Sequence, residues 1–292
     1  MLEVLRPAAP LVPGLEEVQH GYALPLSERR VRGALVRLFT FPGGSHDEAQ
    51  TVVCLPGLGA SGRSFAPMRP LSTLLRLLLW TPPVHTPLTH PPLTWNVEAL
   101  AHPEAGLPRR FALLGSSFGS LVALTFALAH PERLSALVLV SPVASVRRVR
   151  RVALSLSTLV RVPRPFAYLL APTVARILGG RHLPPEGRAE IVREARRLSS
   201  LEMVRRLRDV LGADLLPQLA RLRVPTLVVH GARDSLVPLS AARDVAARIP
   251  GAQLEVLREA AHLPYMSHPD AFNAFVGDFL LRHPPAAGAL GG

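Results

Sequence analysis

A serine lies between two glycines in the segment 115-GSSFG-119, and apolar residues run up to this segment and continue after it. Gly115 and Gly119 stand two residues before and two residues after Ser117. Glycine at both positions lets a strand and a helix approach closely around a sharp turn, which presents the serine hydroxyl. The pattern predicts a nucleophilic serine at such a turn, and the alternative is a helix-capping serine between ordinary packing glycines.

A neutral serine is a poor nucleophile at pH 7, so it needs an imidazole to take its proton and a carboxylate to orient that imidazole. Asp234 follows an apolar run in 228-VVHGARDSLVP-238, and His262 lies in 259-EAAHLPYMSHPD-270. Asp234 alone could be a helix cap or a turn residue, and a lone loop histidine indicates little. The order serine, aspartate, histidine, with each residue after a predicted strand, favours a catalytic triad.

A glycine-containing turn in 55-LPGLGASGRSF-65 follows another apolar run. Backbone N–H groups in a turn of this kind can point at an oxygen that becomes negatively charged during acyl transfer. We predict an oxyanion hole formed by the N–H of Leu58 and the N–H of Phe118, which begins a helix. A plain glycine turn is the alternative interpretation of this segment.

Short apolar runs that are rich in leucine or β-branched residues are typical of buried strands. They cover 34–41, 50–56, 74–80, 111–116, 134–141, 224–231 and 253–257, and the alternation over 32–38 favours an edge strand. Helical patterns cover 117–130, 239–249 and 269–282. Strands that alternate with helices predict an α/β fold, in which a mostly parallel central sheet carries helices on both faces.

Residues 143–220 interrupt this alternation, because they show helical patterns between prolines and no strand pattern. The clearest helix is predicted over 186–211. It carries three predicted surface ion pairs, which are Glu190 with Arg193, Glu194 with Arg197, and Glu202 with Arg206. We predict a helical insertion at 143–220, a sheet domain formed by 1–142 and 221–283, and a disordered tail at 284–292.

The 33 basic residues are all arginine and the net charge is +12, with 17 arginines and six acidic residues in 143–223. A general coding preference for arginine explains this composition, and the alternative is a field that attracts anionic ligands. Nucleic-acid-binding motifs are absent, so we expect no nucleic-acid partner.

Apolar runs stay well below the roughly 18 residues of a membrane span. With no secretory signal at the N-terminus, the sequence predicts a soluble cytoplasmic protein without a membrane span.

Cys54 is the single cysteine, which excludes an internal disulfide framework and a cysteine-based zinc cluster. His262 and His268 lack the spacing of helical metal ligands, and no acidic cluster accompanies them. We therefore expect neither a metal nor a cofactor.

In combination, the motifs GSSFGS, HGARDSLVP and AAHLPYMSHPD resemble those of the α/β-hydrolase fold superfamily. The resemblance covers nearly all of 30–283 and is to the type with a helical cap after the sixth strand. It implies that Ser117 is the nucleophile and that His262 is first a general base and then a general acid. It also implies that Asp234 is the partner of His262, and that Leu58 and Phe118 supply the oxyanion hole.

Two segments depart from the family pattern. Pro56-Gly57 replaces the usual His-Gly before the oxyanion turn, which keeps the backbone donor and removes a side-chain support. The loop 80–95, with two tryptophans, His85 and His90, replaces a glycine-rich loop, and we expect it to line the pocket. The cap at 143–220 is expected to cover the site and to set the choice of substrate.

The resemblance implies a serine hydrolase that cleaves a small or medium carboxylic ester through an acyl-enzyme. The serine at 117 argues against haloalkane dehalogenases and epoxide hydrolases, which use an aspartate nucleophile in this fold. A cap rich in leucine, valine and proline favours a small-molecule substrate with an apolar group. A C–C bond hydrolase or an acyltransferase with the same triad is the alternative, and a non-catalytic ligand-binding member of the fold is the third possibility. The natural substrate and the oligomeric state stay open.

Overall fold

The computed structural model of the chain describes residues 24–41, 49–147, 164–197 and 199–285. In these ranges eight strands form one sheet, in the order β1-β2-β4-β3-β5-β6-β7-β8. The strands are β1 (Leu26–Val31), β2 (Ala34–Phe39), β3 (Thr51–Leu55), β4 (Arg76–Thr81), β5 (Phe111–Ser116), β6 (Leu134–Val140), β7 (Thr226–Gly231) and β8 (Gln253–Leu257). β2 runs antiparallel to β1 and β4, and the remaining pairs are parallel. The predicted α/β fold with a mostly parallel sheet is confirmed.

Helices pack on both faces of this sheet. In the described ranges they are α1 (Pro92–Ala101), α2 (Phe118–Ala129), α3 (Arg164–Gly179), α4 (Pro185–Arg197), α5 (Ser200–Gly212), α6 (Leu239–Arg248), α7 (Pro264–Ser267) and α8 (Pro269–Arg282). Along β5, Phe111 and Leu113 belong to one hydrophobic cluster, and Ala112 and Leu114 belong to a second. Side chains alternate across a strand, so each cluster lies on its own face of the sheet, and a strand buried on both faces is apolar throughout.

The predicted edge strand at 32–38 is wrong in its position, because Arg32 and Gly33 form the turn of a hairpin and β1 takes the edge. β1 has the sequence LSERRV and alternates between partly buried and exposed residues. Its exposed face is stabilised by the pairing of Glu28 with Arg37 on β2, whose side chains are 2.8 Å apart. A strand with one solvated face lacks the apolar run that marks the central strands.

The single helix predicted over 186–211 is wrong, because the structure has two helices, α4 and α5, in this region. The hydroxyl of Ser199 accepts a hydrogen bond from the N–H of Glu202 and caps the start of α5. Pro172, one of the prolines expected to separate helical patterns in 143–220, lies inside α3. The three predicted ion pairs are present, but that of Glu202 with Arg206 is buried and not on the surface.

The described parts of 143–220 fold as α3, α4, α5 and a 3₁₀ helix at Leu216–Arg221. The division into a sheet domain and an inserted cap stays a prediction. Residues 286–292 of the predicted disordered tail lie outside the described residues. None of the helices in the described ranges has both the length and the apolar character that crossing a bilayer requires.

Candidate functional site

The predicted site residues follow the carboxyl ends of neighbouring parallel strands. Ser116 at the end of β5 pairs with Val140 at the end of β6, and Gly231 at the end of β7 pairs with Leu257 of β8. The first residue after β5 is Ser117, and Asp234 and His262 follow β7 and β8 within a few residues. This edge of an open α/β sheet is where ligand crevices form.

Ser117 occupies a strained turn between β5 and α2. Its backbone has φ 53° and ψ −114°, although it is not a glycine. The strain is held in place by a 2.9 Å hydrogen bond from its N–H to the carbonyl of Val140. A hydroxyl-bearing residue kept in an unfavourable backbone conformation at a strand-to-helix turn is typical of a nucleophile.

Both glycines around Ser117 are required by the packing of this turn. A Cβ on Gly119 would lie 2.2 Å from the carbonyl oxygen of Leu55, and a Cβ on Gly115 would lie 2.3 Å from the carbonyl oxygen of Gly119. Real Cβ atoms do not approach backbone that closely, so any side chain here would push β5, α2 and β3 apart. The prediction that these glycines permit a close approach is confirmed.

The turn predicted to hold the oxyanion donor lies directly against Ser117. A Cβ on Gly57 would lie 3.4 Å from the Cβ of Ser117 and 4.0 Å from its Oγ. Leu58 follows Gly57 and packs against the hydrophobic core. Phe118 is the first residue of α2. The structure thus places the turn that carries Leu58 next to Ser117, which Phe118 follows directly, while the role of both as oxyanion donors stays a prediction.

Asp234 and His262 are joined side chain to side chain. Nδ1 of His262 lies 2.7 Å from Oδ2 of Asp234, and the Asp234 and His262 side chains are 0% and 4% exposed. Oδ1 of Asp234 accepts the N–H groups of Leu236 at 2.8 Å and Val237 at 3.0 Å. Burial acts to raise the pKa of Asp234, but the charge and hydrogen bond of His262 and the N–H of Val237 outweigh it and hold the pKa below its ordinary value. The carboxylate is therefore ionised at neutral pH and can orient the imidazole.

Ser141 ties the histidine loop to the strand that also holds Ser117. Its hydroxyl donates to the carbonyl of His262 at 2.9 Å, and its own N–H donates to the carbonyl of Val229 at 3.0 Å. Ser141 is fully buried and has φ 45°, a second strained non-glycine position at this edge. Ser117 and His262 are thus bonded to consecutive residues, Val140 and Ser141. Sequence reasoning missed Ser141, because a serine after a strand has no distinctive pattern.

His230 is buried beside Asp234, near the same carboxylate oxygen that bonds His262. Its Nε2 is 3.1 Å from the carbonyl oxygen of Val237 and 3.8 Å from Oδ2 of Asp234. Only a protonated Nε2 can donate to that carbonyl. Burial lowers the pKa of His230, and the neighbouring His262 lowers it further against the opposing effect of Asp234. His230 is therefore a neutral support for the loop that carries Asp234.

The helices after β6 contact the loop that carries His262 and the loop that carries Leu58. The N–H of Leu263, next to His262, donates to the carbonyl of Leu178 near the end of α3 at 3.1 Å. On the other side, a Cβ on Gly59 would lie 3.0 Å from Cε of Met203 on α5. Trp80 and Trp95, at the two ends of the segment 80–95, are fully buried in the core. The expected contribution of this segment to the pocket stays a prediction.

A cavity of about 390 Å³ lies between α3 and α4. Its wall consists of Pro172, Arg188, Ala189, Val192 and Arg193, and it includes none of the predicted site residues. Among the residues that the structure describes, no three histidine, cysteine, aspartate or glutamate side chains are grouped as metal ligands would be. A hydroxyl, an imidazole and a carboxylate, carried by Ser117, His262 and Asp234, are the groups that acyl transfer by serine uses.

The chain is similar to known hydrolases. The model of the alpha/beta hydrolase family matches residues 52–275. A pimeloyl-[acyl-carrier protein] methyl ester esterase of Aromatoleum aromaticum is 32% identical over 244 residues, which cover 78% of this chain and 96% of that protein. A putative carbamate hydrolase RutD of Caulobacter sp. is 31% identical over 262 residues, with 82% and 93% covered.

Solved structures show the same architecture. A hydrolase from Pseudomonas aeruginosa PA01 superposes with a TM-score of 0.73 at 25% identity, covering 87% of this chain and 97% of that one. An enol-lactonase from Burkholderia xenovorans LB400 superposes with a TM-score of 0.74 at 24% identity, covering 87% and 99%. The second likeness concerns the fold alone.

Proposed function

Because the chain belongs to the alpha/beta hydrolase family, we propose that it is a serine hydrolase that cleaves a small or medium carboxylic ester through an acyl-enzyme intermediate. One observation carries this proposal. The buried pair of His262 and Asp234 is bonded through Ser141 to the same strand end that holds Ser117 in its strained turn. A hydroxyl, an imidazole and an ionised carboxylate at one sheet edge are the groups that acyl transfer by serine requires.

In the proposed reaction, Oγ of Ser117 attacks the ester carbonyl while Nε2 of His262 takes the hydroxyl proton. The carboxylate of Asp234 keeps the other proton on Nδ1 and stabilises the imidazolium that forms. His262 then gives its proton to the leaving alcohol, and the acyl group stays on Ser117. A water molecule activated by the same imidazole releases the carboxylic acid and restores the enzyme.

The N–H groups of Leu58 and Phe118 are proposed to stabilise the negative oxygen of the tetrahedral intermediate. A Cβ on Gly57 would be in van der Waals contact with Ser117, so the turn that carries the neighbouring Leu58 lies close to the serine, which supports this assignment. Phe118 stands at the N-terminus of α2, where N–H groups lack an acceptor within the helix. Fixed donors of this kind typically contribute about 10²- to 10³-fold each to the rate.

Residues 143–220 are proposed to form a cap that selects the substrate. The contacts of Leu178 with the histidine loop and of Met203 with the oxyanion loop support this proposal, because they join the cap helices to both sides of Ser117. The relatives named above as an ester hydrolase and a carbamate hydrolase support a small-molecule substrate. A cytoplasmic setting and independence from metals, cofactors and nucleic acids remain predictions.

The test is a panel of p-nitrophenyl esters from acetyl to octanoyl, measured with the wild type and with Ser117→Ala. We expect turnover by the wild type and a loss of about 10⁵-fold or more in the variant. The adjacent Ser116→Ala is the matched control, since Ser116 is fully buried and should not be the nucleophile. A fluorophosphonate probe should label the wild type and Ser116→Ala, and leave Ser117→Ala unlabelled.

Adding a β-diketone substrate and an acceptor alcohol to this panel separates the alternatives. Faster turnover of a β-diketone than of any ester would favour C–C bond hydrolysis, and acyl transfer to an added alcohol in excess of hydrolysis would favour an acyltransferase. A wild type that neither turns over an ester nor reacts with the probe would contradict the proposal and favour a ligand-binding role.

A further inference from the structure

Helix α5 lies across both segments that are proposed to form the oxyanion hole. Met203 lies next to Gly59, the residue after Leu58, since a Cβ on Gly59 would be 3.0 Å from its Cε. The guanidinium carbon of Arg206 lies 5.8 Å from the centre of the Phe118 ring. Residues three apart share one face of a helix, so a single face of α5 meets the oxyanion loop and the nucleophile turn.

Arg206 is completely buried on this face and does not use all of its donors. Its Nε donates to Oε1 of Glu202 at 3.1 Å, and Nη2 donates to the carbonyl of Pro83 at 3.2 Å. Nη1 is buried and has no hydrogen-bond partner among the described residues. A buried charged donor without an acceptor is costly, so a native structure rarely keeps one without a purpose.

The neighbouring carboxylates are already bonded to other groups. Glu202 accepts hydrogen bonds from Thr86 and Arg205 in addition to Arg206. Asp209, whose charge also interacts with that of Arg206, accepts a hydrogen bond from the N–H of Leu93 at 2.8 Å. Arg205 differs from Arg206, because its two terminal nitrogens reach the carbonyls of Thr86, Pro87 and His90. Of these two neighbouring arginines, Arg206 alone has a buried donor without a partner.

We propose that Nη1 of Arg206 binds a carboxylate on the acyl part of the substrate, so that the enzyme prefers half-esters of dicarboxylic acids. This inference rests on the proposed function. The acyl carbonyl oxygen would sit at the N–H of Phe118, and the guanidinium of Arg206 lies beside the ring of the same residue. A guanidinium nitrogen forms a strong, charge-assisted hydrogen bond with a carboxylate. The methylenes between the two ends account for the apolar character expected of the substrate.

Hydrolysis of such a half-ester adds one water molecule, breaks the bond between the acyl carbon and the alcohol oxygen, and releases the alcohol and a dicarboxylate. The charge of the distal carboxylate does not change in the reaction. Arg206 therefore acts in binding, and its effect should depend on whether the substrate carries that charge.

The experiment compares two series of methyl esters with equal chain length, one ending in a carboxylate and the other in the isosteric carboxamide. The wild type should show a kcat/KM at least about 10-fold higher for the best carboxylate ester. Arg206→Gln should reduce kcat/KM for that ester by about 10- to 100-fold and change the carboxamide ester by less than about threefold. Arg205→Gln is the matched control, since it loses bonds to Glu202 and to the same loop but should affect both esters alike.

Equal kcat/KM for the two series in the wild type overturns the inference without any variant. An equal loss on both esters in Arg206→Gln also overturns it, because that result assigns Arg206 a structural role. If Arg206→Gln does not fold, the double variant Glu202→Gln with Arg206→Met removes the buried pair and should lose the carboxylate preference. Turnover of the carboxamide esters alone would leave the proposed function standing, whereas turnover of neither series, with no fluorophosphonate labelling, would contradict that function.

Discussion

Nδ1 of His262 and Oδ2 of Asp234 lie 2.7 Å apart, and the other oxygen of that carboxylate is occupied by the N–H groups of Leu236 and Val237. The two oxygens therefore have separate roles, since one faces the imidazole and the other fixes the loop. The aspartate cannot rotate to release the imidazole without losing two backbone hydrogen bonds. The orientation of His262 is thus a property of the loop at 231–237.

Replacing Asp234 with asparagine should reduce kcat for a p-nitrophenyl ester by about 10³- to 10⁴-fold. The amide of asparagine can donate to Nδ1, which then leaves the proton on Nε2, where it cannot accept the hydroxyl proton of Ser117. Asp278→Asn is the control, because that exposed carboxylate pairs with Arg282 on α8 and is not one of the proposed site residues. A kcat within about tenfold of the wild type would show that another acid serves His262.

Gly119→Ala should destabilise the fold by about 3 kcal/mol, because its Cβ would overlap the carbonyl of Leu55 and force the backbone to shift. Gly212→Ala, at the end of α5, is the matched control, since a Cβ there meets no atom within 4 Å. Urea unfolding of the two variants measures the difference. Similar midpoints for both would mean that the turn at Ser117 can open without cost.

Ser141→Ala should lower kcat by about tenfold and leave KM nearly unchanged, because the carbonyl of His262 loses its donor and the imidazole is held less firmly. The buried carbonyl left without a partner should also cost about 1 to 3 kcal/mol of stability. Thr73→Ala removes an exposed hydroxyl that bonds the carbonyl of Pro70 in a comparable way, and should change neither quantity. An unchanged kcat in Ser141→Ala would show that the hydrogen bond from Ser141 does not position His262.

His230→Asn should make stability less sensitive to mild acid. The folded-state pKa of His230 lies below its ordinary 6.5, so the unfolded chain binds the proton more readily as the pH falls. The stability that neutral His230 contributes is present above about pH 6.5 and is lost as the pH falls toward its folded pKa. Between about pH 7.5 and 5.5, the melting temperature of the wild type should therefore fall more than that of His230→Asn.

The Asp234 carboxylate does not interfere with this measurement. Its pKa is held below the ordinary 3.8, so its contribution is present above that pH and is lost only as the pH falls further. If the melting temperatures of the wild type and His230→Asn fell equally over this pH range, the neutral state assigned to His230 would be contradicted.

The central strands could be predicted from the sequence because both of their faces are buried. The run at 111–116 matches β5 residue for residue, and the run at 134–141 covers β6. The run at 253–257 also matches β8, although β8 lies at the sheet edge and is only partly buried. β1 was missed because its solvated face interrupts the apolar run. The break between α4 and α5 was missed because the helical period continues through it, and only the capping bond of Ser199 marks the new start.

The site was predictable as far as its members follow strands in a fixed order. The pairing of Asp234 with His262 was therefore expected, and the structure brings the two together. The supports of the site depend on contacts between distant parts of the chain, and Ser141 and His262 are 121 residues apart. The spacing of Glu202 and Arg206 shows that they can pair on a helix but not which side the core will cover, so their burial could not be foreseen.

The overlap that any side chain at Gly119 would make with β3 has a consequence for how this enzyme could acquire new substrates. At the turn that holds Ser117, backbone packs directly against backbone, so almost any substitution of its glycines should disrupt the fold. The cavity between α3 and α4 is lined by side chains, and each of them can be replaced by one of different size or charge without disturbing the backbone of this turn. Diversification of this lineage, in nature or in a selection experiment, should therefore accumulate in the helical layer and leave the sheet edge unaltered.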